Sequence, residues 1–392
     1  FPGNGVIFLS EYLECNEWKA GTWIGKSTSA NYHPNDARNA AVHGSGWSEW
    51  ELVKAARPRF PGHRQPLKPL WGYTDESRPE VMARKIDAAW SHGIDYFIFD
   101  YYHYNDGTFL SGCLDRGFLP AAAESPLKFA LMWANHDWLD IHPCGRVSRP
   151  LLYPGKVDQD GFRRMCRHVT EHYFRHPSYY TINGMPYFSI YHLELLIESC
   201  GGFAGTREAL QWFREEARRA GLPGVHLNAV IWGSPVLPGE TELTEQEKVV
   251  QQLGFDSAAS YVWIHHIDLP KAAQYPYLEA FQAYWRKWDE IERQYRIPYF
   301  PNVTAGWDPS PRTLMTDRWE PVGYPYTCTL SENTPENFRR ALAATRDRLL
   351  KSEIRTFSIN CWNEWTEGSM LEPEARYGYG YLDALKAVFP RT

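Results

Sequence analysis

No stretch of this 392-residue chain approaches the roughly 20 consecutive apolar residues that a membrane span needs. A basic excess is missing too. The 41 Lys and Arg against 47 Asp and Glu leave a formal charge of −6, which makes nucleic acid a poor partner. Seven cysteines (Cys15, Cys113, Cys144, Cys166, Cys200, Cys328, Cys361) include no CxxC pair. That odd, scattered set argues against a zinc module and against a fully paired disulfide framework, with room for one or two bridges. No GxGxxG or GxxxxGK(S/T) run marks a phosphate cradle, and no GxSxG run marks a nucleophile elbow. The sequence starts at Phe1 and leaves its compartment open between secreted, periplasmic and cytoplasmic.

What is abundant is aromatic: 17 Trp, 24 Tyr and 19 Phe, 15% of the chain. With 43% hydrophobic and 22% charged residues, the composition is otherwise that of a globular protein with a sizeable core. Such an excess suits a sugar-binding cleft, because the C–H faces of pyranoses pack on aromatic planes, and it suits the filling of a large core about as well.

Strand-like and helix-like segments alternate along the chain. Residues 94–101 (IDYFIFDY), 127–133, 186–191, 225–232, 256–263, 298–304 and 354–360 read as buried strands, and a first strand is expected near Thr22–Asn31. Amphipathic segments fall between most of them, at 79–92, 161–173, 206–220, 244–253, 277–294 and 335–350. Thr334 and Pro335 supply a cap and a first helical residue for the last. Eight βα units predict right-handed parallel crossovers closing into one (β/α)₈ barrel, a TIM barrel with long βα loops, over residues 1–392 as a single catalytic domain.

Polar residues just past the strand ends of such a barrel converge on one mouth. On that rule the candidate substrate contacts are Asp100, Tyr102, Trp133, Asn135, His136, Asp137, Trp138, Tyr191, Trp232, Tyr261, Trp263, His265, His266, Trp307, Asp308, Trp362, Asn363 and Trp365. Trp133, Trp138, Trp263 and Trp307 are the expected stacking platforms. Glu364 and Glu367 stand three positions apart in a Trp-rich segment. Glycosidic cleavage needs such a carboxyl pair, one to protonate the leaving oxygen and one to supply or generate the nucleophile. Asp158-Gln159-Asp160 spells a DxD but precedes a helix, so capping is the better reading. His265, His266 and Asp268 fit hydrogen bonding better than metal ligation, and no metal or cofactor is expected.

The run Gly46-Trp47-Ser48-Glu49-Trp50-Glu51-Leu52-Val53-Lys54-Ala55-Ala56, followed by Pro58-Arg59-Phe60-Pro61-Gly62-His63, resembles the N-terminal region of glycoside hydrolase family 99-like proteins, also known as WbsX-type proteins of polysaccharide loci. Met132–Trp138 (MWANHDW), Leu253–His266, Pro301–Arg312 (PNVTAGWDPSPR) and Cys361–Pro373 (CWNEWTEGSMLEP) continue the likeness in order. The resemblance implies a (β/α)₈ barrel and glycoside hydrolysis with retention. It implies that Glu364 takes the proton of the sugar 2-hydroxyl, which attacks C1 to give a 1,2-anhydro sugar. Glu367 would then be the general acid and later the base. The implied partner is an oligo- or polysaccharide. A glycosyltransferase would instead need a sugar-nucleotide site, and a non-catalytic glycan binder would keep the rings without needing both glutamates.

Overall fold

The computed structural model describes residues 19–24, 37–146, 149–236, 238–241, 243–352 and 355–391. Eight parallel strand positions form the barrel: β1 (Lys19–Ile24), β2 (Tyr96–Tyr104), β3 (Lys128–Trp133), β4 (Met185–Ile190), β5 (His226–Ile231), β6 (Ser257–Ser260), β7 (Tyr299–Phe300 with Asn302–Thr304) and β8 (Thr356–Asn360). Neighbours pair in chain order, and β1 pairs with β8. The first half of β7 pairs with β6 and its second half with β8. Pro301 explains the break, since it has no N–H for the ladder, although its carbonyl still accepts from Ser358 N at 2.9 Å. The circuit is thereby closed.

Strand positions differ from expectation at their ends. β1 starts three residues before Thr22, and residues 25–31 of that expected strand lie outside the described ones. β6 stops at Ser260, because Trp263–His265 turns as a short 3₁₀ helix. β2 runs on to Tyr104 and folds back as a hairpin with Gly107–Phe109.

Helices Pro79–Ser91, Gln159–Val169, Phe203–Arg219, Gln246–Leu253, Tyr277–Gln294, Pro335–Leu349 and Gly380–Val388 lie along the chain between and after the strands. Caps set two of the starts: Asp158 accepts from Gly161 N at 2.6 Å and Thr334 accepts from Asn337 N at 3.2 Å. The DxD segment is therefore a helix cap. One contiguous apolar cluster fills the barrel and the space beneath the helices. Every residue of β2, β5 and β6 is buried, as expected for parallel strands covered on both faces. Cys113, Cys144, Cys166, Cys200 and Cys328 are buried free thiols.

Polar side chains on β4, β5 and β6 meet at one level. Ser189 Oγ donates to Asn228 Oδ1 at 2.8 Å, and Asn228 Nδ2 donates to Ser257 Oγ at 2.8 Å, all three fully buried. Removing the amide takes this partner from both serines, at a cost of about 1–3 kcal/mol for hydrogen bonds lost in a buried setting. Asn228→Ala should lower unfolding stability in urea by that amount. Adding Ser189→Ala should cost little more; full additivity of the two losses would refute the pairing.

Candidate active site

The site is built at the C-terminal ends of the strands. After β8, Asn363–Glu364 pairs antiparallel with Ser369–Met370, and the single 3₁₀ turn Trp365–Glu367 lies between them. Side chains three apart eclipse in such a turn, so Glu364 and Glu367 point the same way. Gly368 ends it at φ +63°, a left-handed conformation that favours glycine. A Cβ on Gly368 would stand 2.7 Å from Asp308 Cβ, and one on Gly306 would stand 2.4 Å from the Gly368 carbonyl. These two glycines let the loop after β7 close onto the loop after β8, where Asp308 N donates to the Glu367 carbonyl at 2.5 Å.

That approach delivers Arg312. Its Nη2 donates to Glu364 Oε1 at 2.7 Å, its Nη1 to Glu367 Oε1 at 2.6 Å and its Nε to Thr366 Oγ1 at 2.9 Å. Tyr324 OH donates to Glu367 Oε1 at 2.8 Å and also meets Arg312. Glu49 joins from the loop after β1: its Oε2 accepts from Thr366 Oγ1 at 2.8 Å. The side chains of Arg312, Glu49, Glu364 and Glu367 are all buried. Burial pushes the Glu364 carboxyl well above the usual range; Arg312 opposes this, while Glu367, Glu49 and Asp100 reinforce it. Burial works against the charge of Arg312, yet Tyr324 and the surrounding carboxylates hold it firmly protonated.

Glu364, Glu367 and Arg312 open into a cavity that Asp100, Tyr102, His136, Asp137, Tyr191, Tyr261 and Glu240 also line. Glu240 comes from the loop after β5. Its carboxylate accepts from Tyr191 OH at 2.5 Å and from Val236 N at 2.8 Å, with His265 Nε2 at 3.3 Å. Burial alone would raise it, but His265 and these donors bring it down to about 2. His136 Nδ1 donates to the Asp137 carbonyl at 2.8 Å, and Asp137 Oδ1 accepts from Gly155 N at 2.8 Å.

The expected site residues therefore divide. Asp100, Tyr102, His136, Asp137, Tyr191, Tyr261, Glu364 and Glu367 share the cavity. The tryptophan platforms do not, and that expectation is corrected. Trp133 is buried in the wall, donating to the His103 carbonyl at 3.2 Å, and Trp263 donates to the Asn302 carbonyl at 2.8 Å. Trp138 packs edge-on against Tyr102 and Phe109. Trp307 donates to Thr327 Oγ1 at 3.0 Å and, with Asp308, borders a different cavity beside His63. Asp308 accepts from Gln65 Nε2 at 2.7 Å and pairs with His63 Nε2 at 2.8 Å.

The remaining candidates are also support. Trp232 packs on Tyr191 at 4.9 Å, Trp362 on Phe97 at 5.1 Å, and Trp365 donates to Glu372 Oε2 at 2.7 Å. Asn135 clamps the backbone of His192 through both amide atoms, His265 pairs with Glu240, and Asn363 is fully buried. His266 bonds Ser260 Oγ at 2.7 Å, and burial next to His265 drops it to about 3. The cause is the period of the strand. Asp100 and Tyr102, and Met132, Ala134 and His136, face the cavity at every second position, which turns Trp133 and Asn135 away.

Sequence reasoning missed Glu49, Glu240, Arg312 and Tyr324. Glu49 and Arg312 both lie inside the motif runs quoted above. That clustering was the signal for them, but long loops hide which residue reaches the mouth. Among the described residues no group of three or more His, Cys, Asp or Glu side chains could hold a metal ion, and no helix is long and apolar enough to cross a membrane.

Residues 30–385 match the protein family described as Glycosyltransferase WbsX. The uncharacterized protein WxcX of Xanthomonas campestris pv. campestris is 28% identical over 379 residues, covering 92% of this chain and 48% of its own length. The chain thus spans about half the length of the curated relatives it matches. Among solved structures, the family 99 endo-alpha-mannosidase of Bacteroides thetaiotaomicron superposes with a TM-score of 0.56 at 14% identity, over 94% of this chain and 95% of that one. A glycoside hydrolase-like protein gives a TM-score of 0.60 at 13% identity, over 96% and 95%. At these identities the likeness is one of fold. The closed parallel barrel and the match along nearly its whole length show that this chain belongs to the WbsX family, on a fold it shares with glycoside hydrolases.

Proposed function

We propose that this chain hydrolyses glycosidic bonds in an oligo- or polysaccharide, with Glu364 and Glu367 as the working carboxylates on a single catalytic barrel. The observation that carries this reading is the buried pair itself. Two carboxyls held on adjacent nitrogens of one guanidinium face the same cavity. Two carboxyl groups flanking one bond are the minimum that acid–base glycoside cleavage needs. Tyr102, Tyr191 and Tyr261 offer rings and hydroxyls, and Asp100, Asp137 and Glu240 offer acceptors for sugar hydroxyls. With the roles implied by the family resemblance, Glu364 removes the 2-hydroxyl proton, the resulting oxygen attacks C1, and Glu367 protonates the leaving oxygen. Water then opens the anhydro sugar with Glu367 as base, while Glu364 returns its proton to the 2-oxygen, giving net retention.

The family description favours a second reading, glycosyl transfer from a sugar nucleotide. The cavity suits a diphosphate poorly. Asp100, Asp137, Glu240, Glu364 and Glu367 face it, and the donors of Arg312 are spent on Glu364, Glu367 and Thr366. Incubation with a panel of glycans, and separately with sugar nucleotides plus acceptors, followed by product analysis, separates the readings. New reducing ends without a nucleotide are expected. Product formed only when a nucleotide donor is present would overturn the proposal.

A further inference from the structure

Two carboxylates compete for the same donors beside the cavity. Thr366 Oγ1 lies 2.8 Å from Glu49 Oε2 and 3.2 Å from Glu364 Oε1, and Arg312 Nη2 lies 3.5 Å from Glu49 Oε2 and 2.7 Å from Glu364 Oε1. A hydroxyl has one proton to give, and the shorter contact takes it. Among the described residues Glu364 Oε1 is thus left with Arg312 Nη2 as its donor, while the Glu49 carboxylate stands behind the same guanidinium. On its far side Glu49 faces His142, whose Nε2 lies 3.6 Å from Oε1, with both side chains buried. It does not line the cavity, so its influence on a bound sugar passes through Thr366, Arg312 and Glu364.

We propose that Glu49 is a positioning residue for the reaction, holding the Thr366 hydroxyl and sharing Arg312 so that Glu364 has fewer of these donors to itself and acts as a stronger base. The proposal rests on the hydrolase reading for its catalytic meaning, though not for the donor arrangement. A carboxylate with fewer donors and a charged neighbour grips a proton more tightly, which is what removal of a weakly acidic sugar hydroxyl requires. The charged groups facing Glu364 are Arg312 from the loop after β7, Glu367 from its own loop, Asp100 from the end of β2, and Glu49. The buried phenols of Tyr102 and Tyr261 stand close by and stay neutral, each pushed up by burial. Arg312 opposes proton uptake at Glu364; the three carboxylates favour it.

The sign of the effect follows. Glu49→Gln keeps the acceptor for Thr366 and removes the charge, so Glu364 should ionise at lower pH. The acidic limb of kcat/KM, which reports the free base, should move to lower pH, and the plateau should fall by less than the roughly 10²-fold minimum of a lost acid or base. Glu49→Asp, which keeps the charge, should leave the limb near that of the parent. A purely structural role would lower Tm and leave the limb in place. A second measurement needs no turnover: ¹³C NMR titration of side-chain carboxyls in glutamate-labelled protein, with the Glu364 signal assigned by its loss in Glu364→Gln. That signal should titrate at lower pH in Glu49→Gln than in the parent. An unmoved signal in folded Glu49→Gln overturns the proposal. A moved signal in a protein that cleaves no glycan upholds the donor arrangement and counts against the hydrolase reading instead.

Discussion

Glu367→Gln should reduce kcat/KM by about 10²–10⁴-fold on glycans with poor leaving groups, the usual contribution of a general acid. The loss should shrink towards nothing on an aryl glycoside whose leaving group departs without a proton. Glu364→Gln should impair both classes alike, because it removes the group that generates the nucleophile. The geometry makes this contrast informative: both carboxyls hang on Arg312, so either substitution disturbs the same guanidinium, and a general loosening of the site would flatten both variants on both substrates. If the 2-hydroxyl is the nucleophile, 2-deoxy and 2-fluoro glycosides should resist even the parent protein. NMR of early turnover should show retention. Inversion would remove the anhydro-sugar route, and a trapped ester on either glutamate would replace it with double displacement. A Glu364→Gln variant rescued by a good leaving group, with Glu367→Gln unrescued, would exchange the two roles.

Arg312→Met should be the most destabilising single change at the mouth. Among the described residues the Arg312 guanidinium is in direct contact with Glu364, Glu367 and Glu49 in a buried setting. Removing one partner of a buried pair typically costs about 3–5 kcal/mol, because the charge left behind has neither water nor counter-ion. The deficit should depend on pH in a definite direction. Burial and the neighbouring carboxylates already raise Glu364, and Arg312 is the influence that lowers it. Without Arg312 the folded protein holds protons that the unfolded chain has released, so stability falls as pH rises through the folded-state pKa and recovers in acid. Urea unfolding of parent and variant on the acid and alkaline sides of neutrality would read this. A deficit that grew in acid, or none at either pH, would contradict the charge balance drawn here. Glu364→Gln added to Arg312→Met should restore part of the loss on the alkaline side.

By itself the sequence determined the alternation of strands and helices, the closed parallel barrel, and the strand end that carries Glu364 and Glu367. Those follow from local pattern: apolar runs fully buried in β2 and β5, caps at Asp158 and Thr334, and two glutamates three positions apart. It named Tyr102, Tyr191 and Tyr261 at the mouth but gave equal weight to Trp133 and Trp263. Being near a strand end decides that a residue is close to the mouth; which way it points is decided by strand phase and by where each strand stops. Only the tertiary structure revealed Arg312, Tyr324, Glu49 and Glu240, because each reaches the cavity or its buried rim from a long loop whose path no local periodicity encodes. The approach of Gly306 to Gly368 brings Arg312 onto both glutamates, and the loop after β1 brings Glu49 to Thr366. Charge balance at the site is thus a property of loops packed on one another, set by burial and hydrogen bonds between segments far apart in the chain.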